Sequence, residues 1–251
     1  GSLAERLAEV RGRIADAAAR SGRTAADVLL VAVTKHAGPE QIRELLKLGV
    51  GDLGENRVQQ LQQRAGQLGE FHSRALAGGD KQIAPKLRWH MIGHLQRNKV
   101  KPLLPHASMI QSVDSLRLAE ELETQLEKSG KKLPILLQVN ASEESQKGGV
   151  AVGAAAHLAE QIATMEHVQI AGVMTMAALD ADERQTRHTF ARTREIFDEM
   201  RKQKIGGAGL KYLSMGMTND YEWAIQEGAN VVRVGSALFG GKPDDHVDEE
   251  E

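Results

Sequence analysis

Hydrophobic positions fall into two kinds of run that alternate along the chain. Runs of the first kind are short and nearly unbroken: Val28 to Thr34, Leu87 to Ile92, Ser108 to Ser112, Pro134 to Val139, Val168 to Met174 and Asn230 to Val234, with Val50 to Leu53 and Leu210 to Leu213 as shorter examples. Strands buried on both faces of a parallel sheet read this way, because neither face is left to solvent. Runs of the second kind recur at spacings of three and four. Leu3, Leu7, Val10, Ile14 and Ala17 or Ala18 predict a helix over Leu3 to Arg20, ended near Gly22. Ile42, Leu45, Leu46 and Leu48 predict another, opened at Pro39 and stopped at Gly49.

Further helices are expected from Val58 to about Leu68 with Asn56 as cap, around Lys99 to Leu104, and behind an Asp114 cap with Leu116, Leu118, Ala119, Leu122 and Leu126 inward. Others are expected over Ala154 to Met165, over Asp182 to Lys204 with Phe190, Ile196, Phe197 and Met200 as the buried stripe, and from Asp220 to Gly228. Phe71 to Lys86, with Gly78-Gly79-Asp80 and Pro85, reads as a loop or irregular insertion, and Asn140 to Gly149 as a polar loop.

Eight strands, each but the last followed by a helix, favour a closed parallel (β/α)8 TIM barrel with an extra N-terminal helix over an open doubly wound sheet. A chain of 251 residues with 41% hydrophobic content has core enough for one such domain, expected over residues 3–243 and followed by an acidic, disordered tail over 244–251. The net charge of −2, with both signs interspersed, leaves no footprint for nucleic acid or a membrane surface. Absence of cysteine removes disulfides and thiolate chemistry and suits the cytosol. No stretch has the length of a membrane span, no signal-peptide run opens the chain, and Gly1-Ser2 reads as a cloning remnant.

A barrel of this kind works at the carboxyl ends of its strands. Lys35 closes the first strand, where an amine at the rim of a core can serve as a Schiff-base nucleophile, although a strand-end lysine is more often simply solvated. Ser214-Met215-Gly216-Met217-Thr218 follows the seventh strand and Gly235-Ser236 the eighth. Glycines and hydroxyls there suit a phosphate, the alternative being ordinary turns. Arg233 interrupts the apolar eighth strand and needs a partner, either a facing heteroaromatic nitrogen or a structural ion pair. Amine, phosphate cup and arginine match the aldehyde, phosphate and ring nitrogen of pyridoxal 5′-phosphate.

The sequence resembles the pyridoxal-phosphate-binding homeostasis proteins, a family related to the barrel domain of alanine racemase. Its matching stretches are Ala32 to Lys35, Gly54-Glu55-Asn56, Trp89 to Gly93 with Gln96, Asn98 and Lys99, Asn140 to Lys147 with Gly149, Gly172-Val173-Met174, Ser214 to Asp220, and Arg233 to Ser236 with Phe239-Gly240. The resemblance implies an internal aldimine on Lys35, a phosphate held by Ser214, Gly216, Thr218, Gly235 and Ser236, and Arg233 facing the pyridine nitrogen. Asn56, His90 and Met217 would line the pocket. His36-Ala37-Gly38 and the length of the Phe71 to Lys86 segment depart from the family pattern and bear on the pocket entrance.

The resemblance further implies binding and homeostasis of vitamin B6 without an established reaction; storage inside the cell without turnover is the expectation, with pyridoxal phosphate and its dependent apoenzymes as partners and a monomeric state. A weak amino-acid racemase and a Schiff-base aldolase acting on a phosphorylated substrate are the alternatives. A racemase needs acid and base groups on opposite faces of the substrate, and the only tyrosines, Tyr212 and Tyr221, are not obviously across from Lys35. Lys147, beside Glu143 and Glu144, reads as a solvated loop residue or a gate for cofactor release. His90 and His94 lack a metal-site pattern.

Overall fold

In the computed structural model, which describes residues 1–142, 144 and 148–241, the sheet closes on itself. The strands are β1 (Leu29–Val33), β2 (Asp52–Glu55), β3 (Arg88–Met91), β4 (Met109–Val113), β5 (Leu133–Asn140), β6 (Val150–Ala151), β7 (Val168–Thr175), β8 (Tyr212–Met215) and β9 (Val231–Val234). All but β6 form a parallel ring in the order β1-β2-β3-β4-β5-β7-β8-β9, closed by β1 pairing with β9. This is the expected eight-stranded barrel; β6 is a two-residue addition that pairs with β5 at Val139 and Asn140.

The helices are α1 (Leu3–Arg20), α2 (Pro39–Lys47), α3 (Val58–Ala77), α4 (Val100–Leu103), α5 (Leu116–Ser129), α6 (Ala155–Ala163), α7 (Glu183–Lys202), α8 (Tyr221–Gln226) and α9 (Ser236–Phe239). They surround the ring and share one large core with its outer face, built from residues such as Leu53, Met91, Ile110, Leu213, Met215, Val232 and Val234. A second, small apolar cluster of Met109, Leu136, Ala171 and Met174 lies apart from it. The helix α1 is additional to the repeat and packs on α8 and α9, with Ser2 Oγ capping it by accepting from the Glu5 amide at 3.1 Å. Among the described residues, no helix is long and apolar enough to cross a membrane.

Several local expectations are corrected. The Phe71 to Lys86 segment is not an insertion from its start: α3 runs on to Ala77, because Val58, Leu61, Leu68 and His72 keep one face buried across Gly66 and Gly69. Strands β2 and β8 lie two residues later than the apolar runs suggest, which brings Glu55 and Ser214 into strands. Asn56 does not cap α3, whose first flanking residue is Arg57. Asp114 yields the cap of α5 to Ser115, whose hydroxyl accepts from Leu118 N at 3.2 Å, while Asp114 accepts from Gly149 N at 3.2 Å. Asp220 flanks α8, but its carboxylate accepts from Met217 N at 2.8 Å rather than from a helix amide. Glu143, Lys147 and the 244–251 tail lie outside the described residues.

Candidate functional site

Strand β1 delivers Lys35 to the carboxyl end of the barrel. Along it Val31 and Val33 are buried but stand outside the core shared with the helices, and Lys35 continues their parity. Lys35 is half-buried, and its backbone is held from α3: Gln60 Nε2 donates to the Lys35 carbonyl at 3.2 Å, and one helical turn on, Arg64 Nη2 donates to Ala37 O at 2.7 Å. Arg64 Nε also lies 3.3 Å from Glu55 Oε1, which accepts the Thr34 hydroxyl. Glu55 is fully buried, so its charge is matched by the arginine rather than by water. Thr34, the lysine's own carbonyl and Ala37 are thus pinned to a buried acid and a helix. Gln60 and Arg64 carry no signal in the sequence, and Glu55 appears there only within the Gly54-Glu55-Asn56 stretch of the resemblance.

The loops after β8 and β9 meet at the same end of the barrel as this lysine. Ala32 pairs with Val234, so Gly235 and Ser236 leave β9 level with Val33 and Thr34, and Val33 pairs with Gly54, so Asn56 leaves β2 level with Lys35. Gly216 carries φ +101, and a Cβ there would stand 2.7 Å from both Ala224 Cβ and Tyr221 Cα. Its carbonyl accepts from Arg233 N at 2.9 Å, and Thr218 Oγ1 accepts from Ala237 N at 3.3 Å, so the two loops are tied together. Met217 is buried at the base of the first loop. Gly93 brings the loop after β3 so close to the Asn56 backbone that a Cβ would lie 2.2 Å from the Asn56 carbonyl.

Ser214 and His90 are not in these loops. Both face the barrel interior with Arg233, which is 1% exposed. Arg233 Nη1 donates to Ser214 Oγ at 2.5 Å and Nη2 to the Thr175 carbonyl at 3.0 Å. Ser214 in turn donates to Gln111 Oε1 at 2.7 Å, so its hydroxyl is committed to the interior. His90 lies deeper, 2.9 Å from Asp52 Oδ1 and 3.1 Å from Gln111 Nε2, and borders a cleft of about 1160 Å³ with Asp52, Arg88, Met109 and Tyr212. Leu29, Asp52, Arg88, Met109 and Tyr212 begin their strands, so that cleft opens at the opposite, amino-terminal mouth. Burial pushes the Asp52 carboxyl up, but hydrogen bonds from His90 and Arg88 outweigh it and hold the group below its ordinary value.

His94 is exposed while His90 is buried, and among the described residues no three acidic or histidine side chains gather into a metal site. Lys35, Asn56, Gly216, Met217, Thr218, Gly235 and Ser236 therefore share the carboxyl end. Arg233 and Ser214 sit beneath them, and His90 belongs to the interior below.

Residues 7–243 match the model of the alanine racemase N-terminal domain family. A curated relative from Pseudomonas aeruginosa, a pyridoxal phosphate homeostasis protein, is 35% identical over 241 residues, covering 96% of each chain. The chain belongs to the pyridoxal phosphate homeostasis protein family. A structure of the family member PipY from Synechococcus elongatus, with PLP bound, superposes with a TM-score of 0.79 at 32% identity, over 95% of this chain and 100% of that one. The alanine racemase of Clostridium difficile shares the fold, with a TM-score of 0.71 at 15% identity, over 99% of this chain but 59% of the racemase. The family's barrel thus accounts for nearly the whole length of this chain.

Proposed function

We propose that this chain binds pyridoxal 5′-phosphate at the carboxyl end of its barrel, holds it through a Schiff base on Lys35, and acts in vitamin B6 homeostasis inside the cell without turnover of its own. One observation carries the reading. Strand register brings Gly235 and Ser236 level with the two residues before the half-buried Lys35, in a loop tied to the glycine and hydroxyl loop after β8, at the barrel end above a buried arginine. That donor set fits the cofactor: an amine for its aldehyde, backbone and hydroxyl donors on Gly216, Thr218, Gly235 and Ser236 for its phosphate, and Arg233 for its ring nitrogen. Pyridoxal phosphate supplies an aldehyde that condenses reversibly with amines and an electron-withdrawing ring.

Asn56 and Met217 flank the pocket in this reading, while Ser214 and His90 act from beneath, through Arg233. The homeostasis relatives and the PLP-bound PipY support both the cofactor and the role. Support for storage over turnover comes from the tyrosines. Tyr212 lines the amino-terminal cleft, and Tyr221 is buried at the start of α8 beside Glu9 and Arg13 of α1, where burial pushes its hydroxyl up to about 12. Neither offers a proton opposite Lys35. Residues 3–243 form the binding unit, the recipients are pyridoxal-phosphate-dependent apoenzymes, and the protein works as a cytosolic monomer.

The test is the absorption spectrum of the purified protein mixed with pyridoxal 5′-phosphate, followed by borohydride reduction and peptide mapping. Visible absorbance, and a pyridoxyl group on Lys35 that Lys35→Ala abolishes, are expected. Random labelling of surface lysines would overturn the site, and product formation from added amino acids would overturn storage in favour of racemase or related chemistry.

A further inference from the structure

A row of polar side chains crosses the barrel interior from the carboxyl-end site to the opposite mouth. Arg233 Nη1 donates to Ser214 Oγ at 2.5 Å, Ser214 Oγ donates to Gln111 Oε1 at 2.7 Å, and Gln111 Nε2 donates to His90 Nδ1 at 3.1 Å. His90 Nε2 then donates to Asp52 Oδ1 at 2.9 Å, and Arg88 closes on the same carboxylate through Nε at 2.9 Å and Nη2 at 3.1 Å. Arg233, Ser214, Gln111, His90 and Asp52 are all buried.

The two ends fix the direction of every link. A guanidinium only donates, so Ser214 Oγ accepts from Arg233 and sends its single proton to the Gln111 carbonyl. The Gln111 amide group then faces His90, whose Nδ1 accepts and whose Nε2 carries the proton. From the other end, an ionised carboxylate only accepts, which demands the same Nε2–H tautomer of His90. Both ends agree, and no link is frustrated. A primary amide neither takes up nor releases a proton near neutrality, so Gln111 breaks the row as a proton path. What the row transmits is orientation.

We propose that Gln111 and Ser214 are positioning residues that set the plane in which the Arg233 guanidinium meets the ring nitrogen of pyridoxal phosphate, with His90 and Asp52 fixing Gln111 from the far end. The proposal rests on the reading of Lys35 and Arg233 given above. Arg233 has a second anchor, the Thr175 carbonyl, on its other Nη nitrogen. Anchors on both Nη nitrogens fix a plane, and removing Ser214 takes away the one on Nη1. The row extends the site's machinery to strands β2, β3 and β4, far from the phosphate loops.

The proposal is tested on the full chain with and without cofactor. In the cofactor-free protein, nitrogen NMR of the Arg233 side chain should show slow guanidinium rotation that Ser214→Ala and Gln111→Leu each speed up. Ser112→Ala, which removes from the residue after Gln111 a buried hydroxyl that has no hydrogen-bond partner among the described residues, should leave it unchanged. In the loaded protein, Ser214→Ala and Gln111→Leu should each move the absorption maximum of bound pyridoxal phosphate and speed its release about tenfold. The double variant should do no more than either alone, because both cut the same row. A merely structural role would lower the melting temperature and leave the absorption maximum in place.

Ser214→Ala deletes one oxygen and keeps the test readable if Gln111→Leu does not fold. Unchanged rotation and an unchanged maximum in Ser214→Ala, or additive effects in the double variant, would overturn the proposal. A wild-type chain that does not load on Lys35 would overturn the functional reading instead, while the cofactor-free measurement still decides whether the row holds Arg233.

Discussion

Asp52 opens β2 as a nearly buried acid whose charge is tolerable only because His90 and Arg88 donate to it. Its pKa is depressed on folding, so it stabilises the native state fully above the unfolded carboxylate value near 3.8, and that contribution is lost as pH falls through the folded value. Asp52→Asn should cost about 1–3 kcal/mol at pH 7, with the gap to wild type closing as the medium is acidified below that range, as read by urea unfolding at each pH. At this scale the sequence was legible only where a charge interrupted an apolar run, as at Lys35 and Arg233. Asp52 also stood inside such a run, but Gln111 and Arg64 gave no comparable sign, because each is defined by a partner tens of residues away, Ser214 and Ala37, that only the closed barrel brings near. The resemblance implies that His90 lines the cofactor pocket, whereas the side chain lies deeper, on Asp52 and beside the amino-terminal cleft, which nothing local could say.

At the scale of elements, helices were legible and strand bounds less so, for one physical reason. A helix in this fold buries one face, so its period shows, and the stripe of α7 is found at Phe190, Phe197 and Met200. Each barrel strand buries both faces. In β8, Leu213 and Met215 join the outer core while Tyr212 and Ser214 turn inward, an alternation real in space but blurred in hydropathy. Hence the two-residue offset that first put Ser214 in the phosphate loop. The turn after β8 depends on Gly216, whose positive φ and close neighbours leave no room for a side chain. Gly216→Ala should lower stability by about 3 kcal/mol and weaken pyridoxal phosphate binding more than the loss of stability alone explains, measured by thermal melts beside a cofactor titration.

Across the whole molecule, the beginning and end of the barrel are bound to each other. Strand β1 pairs with β9, α1 lies over α8 and α9, and Arg6 Nε donates to the Leu238 carbonyl at 2.6 Å. Arg23 donates to the carbonyls of Ile225 at 2.5 Å and Ala229 at 3.0 Å, at the carboxyl end of α8. Arg23→Ala should cost about 1–3 kcal/mol and raise hydrogen exchange in α8 and β9 ahead of the rest of the ring. The overall architecture was legible because eight strand and helix alternations leave few ways to bury so many two-sided strands.

The closure of β1 on β9 also bears on how the protein is made. Translation delivers Lys35 early, and until the last strand leaves the ribosome β1 has β2 for a neighbour on one side and none on the other. The loops that would recognise a phosphate, and the arginine beneath them, arrive only with β8 and β9. If Lys35 holds the cofactor as proposed, a nascent chain carries its amine before it has any means of choosing among aldehydes, and selectivity is the last property the growing polypeptide acquires.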